Sequence, residues 1–112
     1  MNYLFLAYSD EQQWETLPAN ERATFAEACY ASDQALRESG YLLTAGELSG
    51  STVVTVLVQQ GKVSLTDGPF ARASKQLVGF FFVEARDLNE AIQVAAKMPQ
   101  AQRGSVEIRP IT

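Results

Sequence analysis

Three predicted strands of this 112-residue chain carry apolar side chains on both faces, which limits the folds that it can adopt. They are the segments 2–8, 51–59 and 78–85, the last of which contains three consecutive phenylalanines. Successive side chains of a strand point to opposite faces, so these strands need apolar cover on both sides. The chain has only two predicted long helices, which can cover one face of a sheet. The other face of the sheet therefore has to be covered by another apolar surface, such as that of a second protein chain.

The remaining segments alternate helix and strand. In chain order they are a polar stretch at 9–16, a helix at 18–39, a strand at 41–48, a short extended piece at 62–66, a helix beginning at Asp87 and a final strand ending near Ile111. Asp87 followed by Glu90 is a capping box, and Gly40 suits a helix C-terminus. We expect the strands at 41–48 and 51–59 to form an antiparallel hairpin.

This order predicts an α+β fold of the ferredoxin-like, split βαβ type, with an antiparallel sheet, two helices on one face and an extra hairpin piece. We expect a single domain over residues 1–112. Face-to-face packing of two identical sheets would cover the open face, because two-fold symmetric dimers are the commonest soluble oligomers. A homodimer is the predicted assembly.

Composition excludes several classes of function. A net charge of −4 and a pI near 4.7 argue against nucleic acid as a partner. The apolar run at the N-terminus is shorter than the ~20 residues of a membrane span, so no membrane association is expected. Cys29 is the only cysteine, so no internal disulfide can form, and we expect a cytoplasmic location.

The chain contains no histidine, which restricts its chemistry most. Ser-His and Cys-His nucleophilic pairs and the usual histidine-bearing zinc sites are excluded. We predict no metal site and no cofactor. Acid-base chemistry would have to use carboxylates, tyrosine, lysine or cysteine.

The most distinctive motif is the turn Asp67-Gly68-Pro69-Phe70, in which glycine and proline fix the backbone beside a carboxylate and an aromatic ring. A structural role is the alternative, with Asp67 accepting backbone N–H bonds and Phe70 packed in the core. As a site, Asp67 would be the catalytic base or ligand anchor. The other ligand-pocket candidates are Arg72 and Lys75 as anion contacts, Tyr8, Trp14 and Phe70 as aromatic walls, and Tyr8, Glu84 and Arg109 as polar groups near strand ends.

Three of these candidates also have structural explanations. Trp14 could cover the start of the first helix, and Arg109 could form a cross-strand ion pair with Glu84.

Four motifs in order, together with the initial strand, resemble the YCII-related family and its DGPF branch. They are Asp67-Gly68-Pro69-Phe70, the glycine that ends 77–79, the segment 84–91 and the terminal segment 104–111, and the segment 42–48 is also similar. The resemblance runs nearly end to end. It implies a dimeric ferredoxin-like α/β barrel.

The resemblance implies two kinds of activity. Some relatives are cofactor-free enzymes that act on small aromatic substrates through a His-Asp pair, and others are associated with alternative sigma factors. Here Cys29 stands roughly where that histidine would be, although a cysteine on an apolar helix stripe is also a common core residue. The run from Ala71 to Lys75 also departs from the family, which has an acidic residue and a lysine after the motif.

Three hypotheses follow. The first is a small-molecule-binding domain, a candidate cofactor-free enzyme, with a buried Asp67 of raised pKa at the mouth of a pocket between sheet and helix. The second is a regulatory protein-interaction module, linked to sigma-factor-dependent transcription and without catalysis. The third, a haem-degrading or quinol-oxygenating relative, lacks the histidine needed as a proximal ligand.

Overall fold

The structure is a computed structural model that describes residues 1–50, 52–71 and 75–112. Its elements in chain order are β1 (Asn2–Ser9), α1 (Glu11–Thr16), α2 (Ala19–Glu38), β2 (Leu42–Glu47), β3 (Val54–Gln59), β4 (Lys62–Asp67), β5 (Gln76–Glu84), α3 (Leu88–Ala96), α4 (Pro99–Arg103) and β6 (Ser105–Pro110).

The main sheet has four strands in the order β2-β5-β1-β6, and the neighbouring strands are antiparallel. The two strands with the most apolar sequences, β1 and β5, occupy its centre, where Phe5 pairs with Phe81. A central strand is the position where apolar side chains on both faces can be used. The predicted ferredoxin-like α+β fold is confirmed.

One face of this sheet forms the core with α3 and part of α2. Tyr3, Phe5 and Ala7 of β1 are buried there, and Phe81 and Val83 of β5 lie beside them. The helical contribution consists of Ala91, Val94 and Ala95 of α3, Met98, and the partly buried Leu36 of α2. Both predicted helices thus cover the same face.

The predicted cap by Asp87 at the start of α3 is present, but Glu90 bonds one residue before the position that a capping box requires. The Asp87 carboxylate accepts a hydrogen bond from the backbone N–H of Glu90 at 2.8 Å. The Glu90 carboxylate accepts one from the N–H of Arg86 at 3.0 Å and also pairs with the Arg86 side chain. The first bond satisfies an N–H group that the first turn of a helix leaves free, and the second fixes the backbone just before the cap.

The predicted pairing of the strands at 41–48 and 51–59 is wrong. β2 pairs with β5 at the edge of the main sheet, and β3 pairs with β4 in a separate two-stranded sheet. Gln60 and Gly61 both have positive φ, which gives the tight two-residue turn that joins β3 to β4. That local turn determines the partner of β3, while β2 takes a place beside the phenylalanine-rich β5.

The polar stretch after β1 contains a helix that the sequence pattern did not predict. Asp10 caps α1, because its carboxylate accepts a hydrogen bond from the N–H of Gln12 at 3.0 Å. With six residues, α1 is too short to show an apolar periodicity.

The second face of the main sheet carries half-buried apolar side chains, as predicted. Leu4 and Leu6 of β1 lie beside Phe82 and Phe80 of β5 on this face. Gly46 of β2 pairs with Phe80, whose ring carbon Cε1 lies 2.5 Å from where a Cβ at position 46 would be. The absence of a side chain at Gly46 thus leaves room for the Phe80 ring beside the edge strand.

Within the described segments, no helix is long and apolar enough to cross a bilayer.

Candidate functional site

A cavity of about 1050 Å³ lies between α1, α2 and the covered face of the main sheet. It arises because α2 buries none of its side chains fully against the sheet, although it has 20 residues. The ends of β1, β2 and β5 and the short helix α4 complete its walls. The cavity is large enough for a small organic ligand.

Aromatic rings form one wall of this cavity. Trp14 of α1 and Phe25 of α2 meet edge to face, with ring centroids 5.6 Å apart and planes inclined by 65°. The guanidinium carbon of Arg103 lies 5.7 Å from the centroid of the Phe25 ring. Phe81 lines the cavity from the sheet. Such rings offer flat apolar surface to an aromatic ligand.

Polar groups from α2 and β2 form a small cluster in the same cavity. Cys29 and Asp33 lie one helical turn apart on α2, and Glu47 at the end of β2 also lines the cavity. The Oδ1 atom of Asp33 is buried and has no hydrogen-bond partner within the described residues. It is therefore an acceptor available to a ligand that carries a donor.

Two members of this cluster, Cys29 and Asp33, have raised pKa values, and burial is the main cause for both. Desolvation, with smaller contributions from the Asp33 and Glu47 carboxylates, raises the pKa of the Cys29 thiol to about 11. Desolvation also raises the pKa of Asp33, and the charge of Arg37 opposes that change. A thiol with so high a pKa is neutral at physiological pH and a poor nucleophile.

Two of the residues predicted as pocket walls lie in this cavity, Tyr8 and Trp14. The Tyr8 hydroxyl donates a weak hydrogen bond to Glu107 at 3.4 Å. Arg109 pairs with the same Glu107 at 3.1 Å. The structure therefore pairs Arg109 with Glu107 in β6, while Glu84 lies opposite Asn2. The predicted Glu84–Arg109 pair is not formed within the described residues.

The turn at Asp67 lies on the β3–β4 hairpin, and its residues are not among those that line the cavity of the same chain. Gly68 has a φ of 106°, and its N–H donates to the carbonyl of Val53 at 2.7 Å. The Thr55 hydroxyl donates to the Gly68 carbonyl, also at 2.7 Å. These bonds support a structural role for the turn in closing the base of the hairpin.

The part of the structural alternative that placed Phe70 in the core is wrong, because Phe70 is 82% exposed. The predicted burial of Asp67 is also wrong, because Asp67 is exposed, as is Lys75. Arg72 lies outside the described residues. A role of Asp67 in ligand binding stays a prediction.

Sequence reasoning missed Asp33, Phe25 and Glu47 as site residues. Asp33 follows Cys29 by four positions, so helical spacing places both on one side of α2. That signal was present in the sequence. The distance between α2 and the sheet, which creates the cavity, is a tertiary property without a local signal.

A family model described as the YCII-related domain matches residues 1–112. The chain belongs to the YCII-related family. The YCII-related domain described here is also 30% identical to an uncharacterised protein of Rhizobium meliloti over 114 residues, which cover 99% of this chain and 92% of that protein.

Among solved structures, the YCII-related domain is similar to 5-chloro-2-hydroxyhydroquinone dehydrochlorinase (TftG) from Burkholderia phenoliruptrix, in complex with 2,5-dihydroxybenzoquinone. The TM-score is 0.57, and the match covers 100% of this chain and 94% of that chain. At 13% sequence identity, the similarity shows a common fold alone.

Proposed function

We propose that this chain is a small-molecule-binding domain whose ligand occupies the cavity between α1, α2 and the sheet. The observation that carries the proposal is that aromatic walls and a few convergent polar groups meet in one cavity of about 1050 Å³. Binding sites for small molecules are typically mostly apolar clefts with a small number of placed polar groups. The bound quinone in the similarly folded dehydrochlorinase is consistent with a ligand of this size.

The cavity favours a flat ligand that carries a hydrogen-bond donor. Trp14, Phe25 and Phe81 supply apolar surface, and the buried Oδ1 of Asp33 lacks a donor within the described residues. A hydroxyl or amino group on an aromatic ring would satisfy that oxygen.

The proposal extends to cofactor-free acid-base catalysis on such a ligand. Asp33 would be the proton-transferring group, because burial raises its pKa and a carboxyl group with a raised pKa works better as an acid or base near neutral pH. Cys29 would form part of the wall, since its thiol stays protonated. A catalytic role for Asp67 stays a separate proposal, because it requires the turn after β4 to lie against a cavity.

The proposed assembly is a homodimer through the open face of the main sheet, in the cytoplasm. Leu4, Leu6, Phe80 and Phe82 on that face support the assembly, because a two-fold axis would bury them against their own copies.

Trp14 provides the test of the binding proposal. It is the only tryptophan in the chain and lies in the cavity wall, so a bound aromatic compound would change its fluorescence. We expect saturable changes with dihydroxybenzenes or aminophenols as probes. Native mass spectrometry of freshly purified protein would report any ligand retained from the cell.

Two alanines on α2 provide matched variants. Both are exposed, but Ala26 lines the cavity and Ala31 does not. Ala26→Phe should weaken probe binding at least about tenfold by filling the cavity, while Ala31→Phe should leave binding unchanged. Equal affinities for the two variants, or no saturable probe among these classes, would contradict the proposal.

A further inference from the structure

The β3–β4 hairpin, residues 54–67 and here called the hairpin arm, has one apolar and one largely polar face. Cross-strand pairs in register set these faces, for example Val56 with Leu65 and Leu57 with Ser64. The apolar face consists of Val54, Val56, Val58, Val63 and Leu65, and Asp67 lies at its base opposite Val54. The opposite face consists of Thr55, Leu57, Gln59, Lys62, Ser64 and Thr66. Such alternation is typical of a sheet that buries one face and leaves the other in water.

The apolar face of the hairpin arm is nevertheless exposed in the single chain. Its five aliphatic side chains are between 55% and 69% exposed, although they are adjacent and form one continuous stripe. An isolated two-stranded hairpin is only marginally stable in water. Monomeric proteins rarely leave a contiguous apolar surface of this kind uncovered.

The size of the whole chain shows the same excess of surface. It exposes 7997 Å², whereas a compact monomer of its 12.3 kDa mass would expose about 6,100 Å². Its radius of gyration is 15.9 Å, against about 13 Å for a compact domain of this length. The excess of about 1,900 Å² lies within the range of about 1,000–2,500 Å² that each subunit of an obligate homodimer buries.

We propose that the apolar face of the hairpin arm packs on a second copy of this chain. The area argument favours a second copy, because the surplus matches what one subunit contributes to a stable symmetric dimer. The open face of the main sheet also needs cover, and the same second copy would supply it. The hairpin arm would thus extend the proposed sheet-to-sheet interface as a clamp on the partner subunit.

Neighbouring residues on opposite faces of β4 provide the test. In a monomer Leu65 is 69% exposed, so Leu65→Lys would change the folding stability of a monomer little. Ser64→Lys on the polar face is the matched control. We expect Leu65→Lys to raise the dimer dissociation constant about 100-fold in sedimentation equilibrium. Ser64→Lys should leave the constant within about threefold of the wild-type value.

Amide hydrogen exchange of the wild-type protein gives a second readout that needs no variant. Protection of the hairpin arm should fall on dilution below the dimer dissociation constant, while protection of β1 and β5 persists. An unchanged dimer constant in Leu65→Lys, arm protection independent of concentration, or a wild-type monomer at micromolar concentration would each overturn the proposal. Fluorescence of Trp14 with ligand probes is measured separately, so these results leave the test of the cavity independent.

Discussion

The backbone carbonyl oxygen of Tyr8 lies directly against Gly104 and occupies the space that a side chain at position 104 would need. This contact joins the end of β1 to the start of β6 at the rim of the cavity, because both residues line it. A backbone atom cannot rotate away as a side chain can. Position 104 therefore has to be glycine, because any larger residue would collide with the backbone of Tyr8.

Gly104→Ala should destabilise the protein by about 1–3 kcal/mol, because β1 and β6 must separate to admit the methyl group. Urea unfolding followed by circular dichroism measures the change. Gly50→Ala is the control, since the nearest atoms to its added Cβ are at 3.5 Å, and it should change stability by less than about 0.5 kcal/mol. Similar losses in both variants would contradict this explanation.

The Cys29 thiol should react slowly with iodoacetamide at neutral pH in the native protein and rapidly after unfolding. Its pKa of about 11 leaves very little of the reactive thiolate near pH 7. The carboxylate of Asp33 is one cause of this pKa, so Asp33→Asn should lower it and speed alkylation. The rate as a function of pH gives the pKa, and a native rate equal to that of the unfolded chain would refute the prediction.

Asp33→Asn should also raise the melting temperature at neutral pH. Burial raises the pKa of Asp33 in the folded protein, so ionisation of this group opposes folding. That cost is absent below the ordinary value of 3.8 and present at neutral pH, so the gain in melting temperature should disappear as the pH falls toward 3.8. Glu27→Gln, an exposed substitution on the same helix, is the control for the change in net charge. A gain in melting temperature that does not depend on pH would contradict this prediction and indicate a change in packing instead.

Asp87→Ala should cost about 1 kcal/mol of folding stability, since it removes the acceptor for the N–H of Glu90 at the start of α3. Asp87→Asn keeps an acceptor in the same place and should lie within a few tenths of a kcal/mol of the wild type. Thermal unfolding of the three proteins at one pH compares them. If Asn is as damaging as Ala, the cap is not the cause.

Local patterns predicted those parts of the fold that depend on neighbouring residues. The cap at Asp87, the helix that ends before Gly40 and the apolar strands β1 and β5 follow from spacing and turn chemistry. Strand partners depend on distant residues: both Ser49-Gly50 and Gln60-Gly61 have the sequence of a turn, but only the second joins two paired strands. Of the residues that line the candidate cavity, Trp14 and Tyr8 are among those that the sequence pointed to, and Asp33 is not.

The hairpin arm is an insertion between β2 and β5, two strands that are adjacent in the sheet without it. Its length and side chains can therefore diverge among relatives while the sheet and helices keep their packing. With the proposed packing of the hairpin arm on a second copy, partner choice would depend on fewer than twenty residues that the sheet and helices do not need for their own packing.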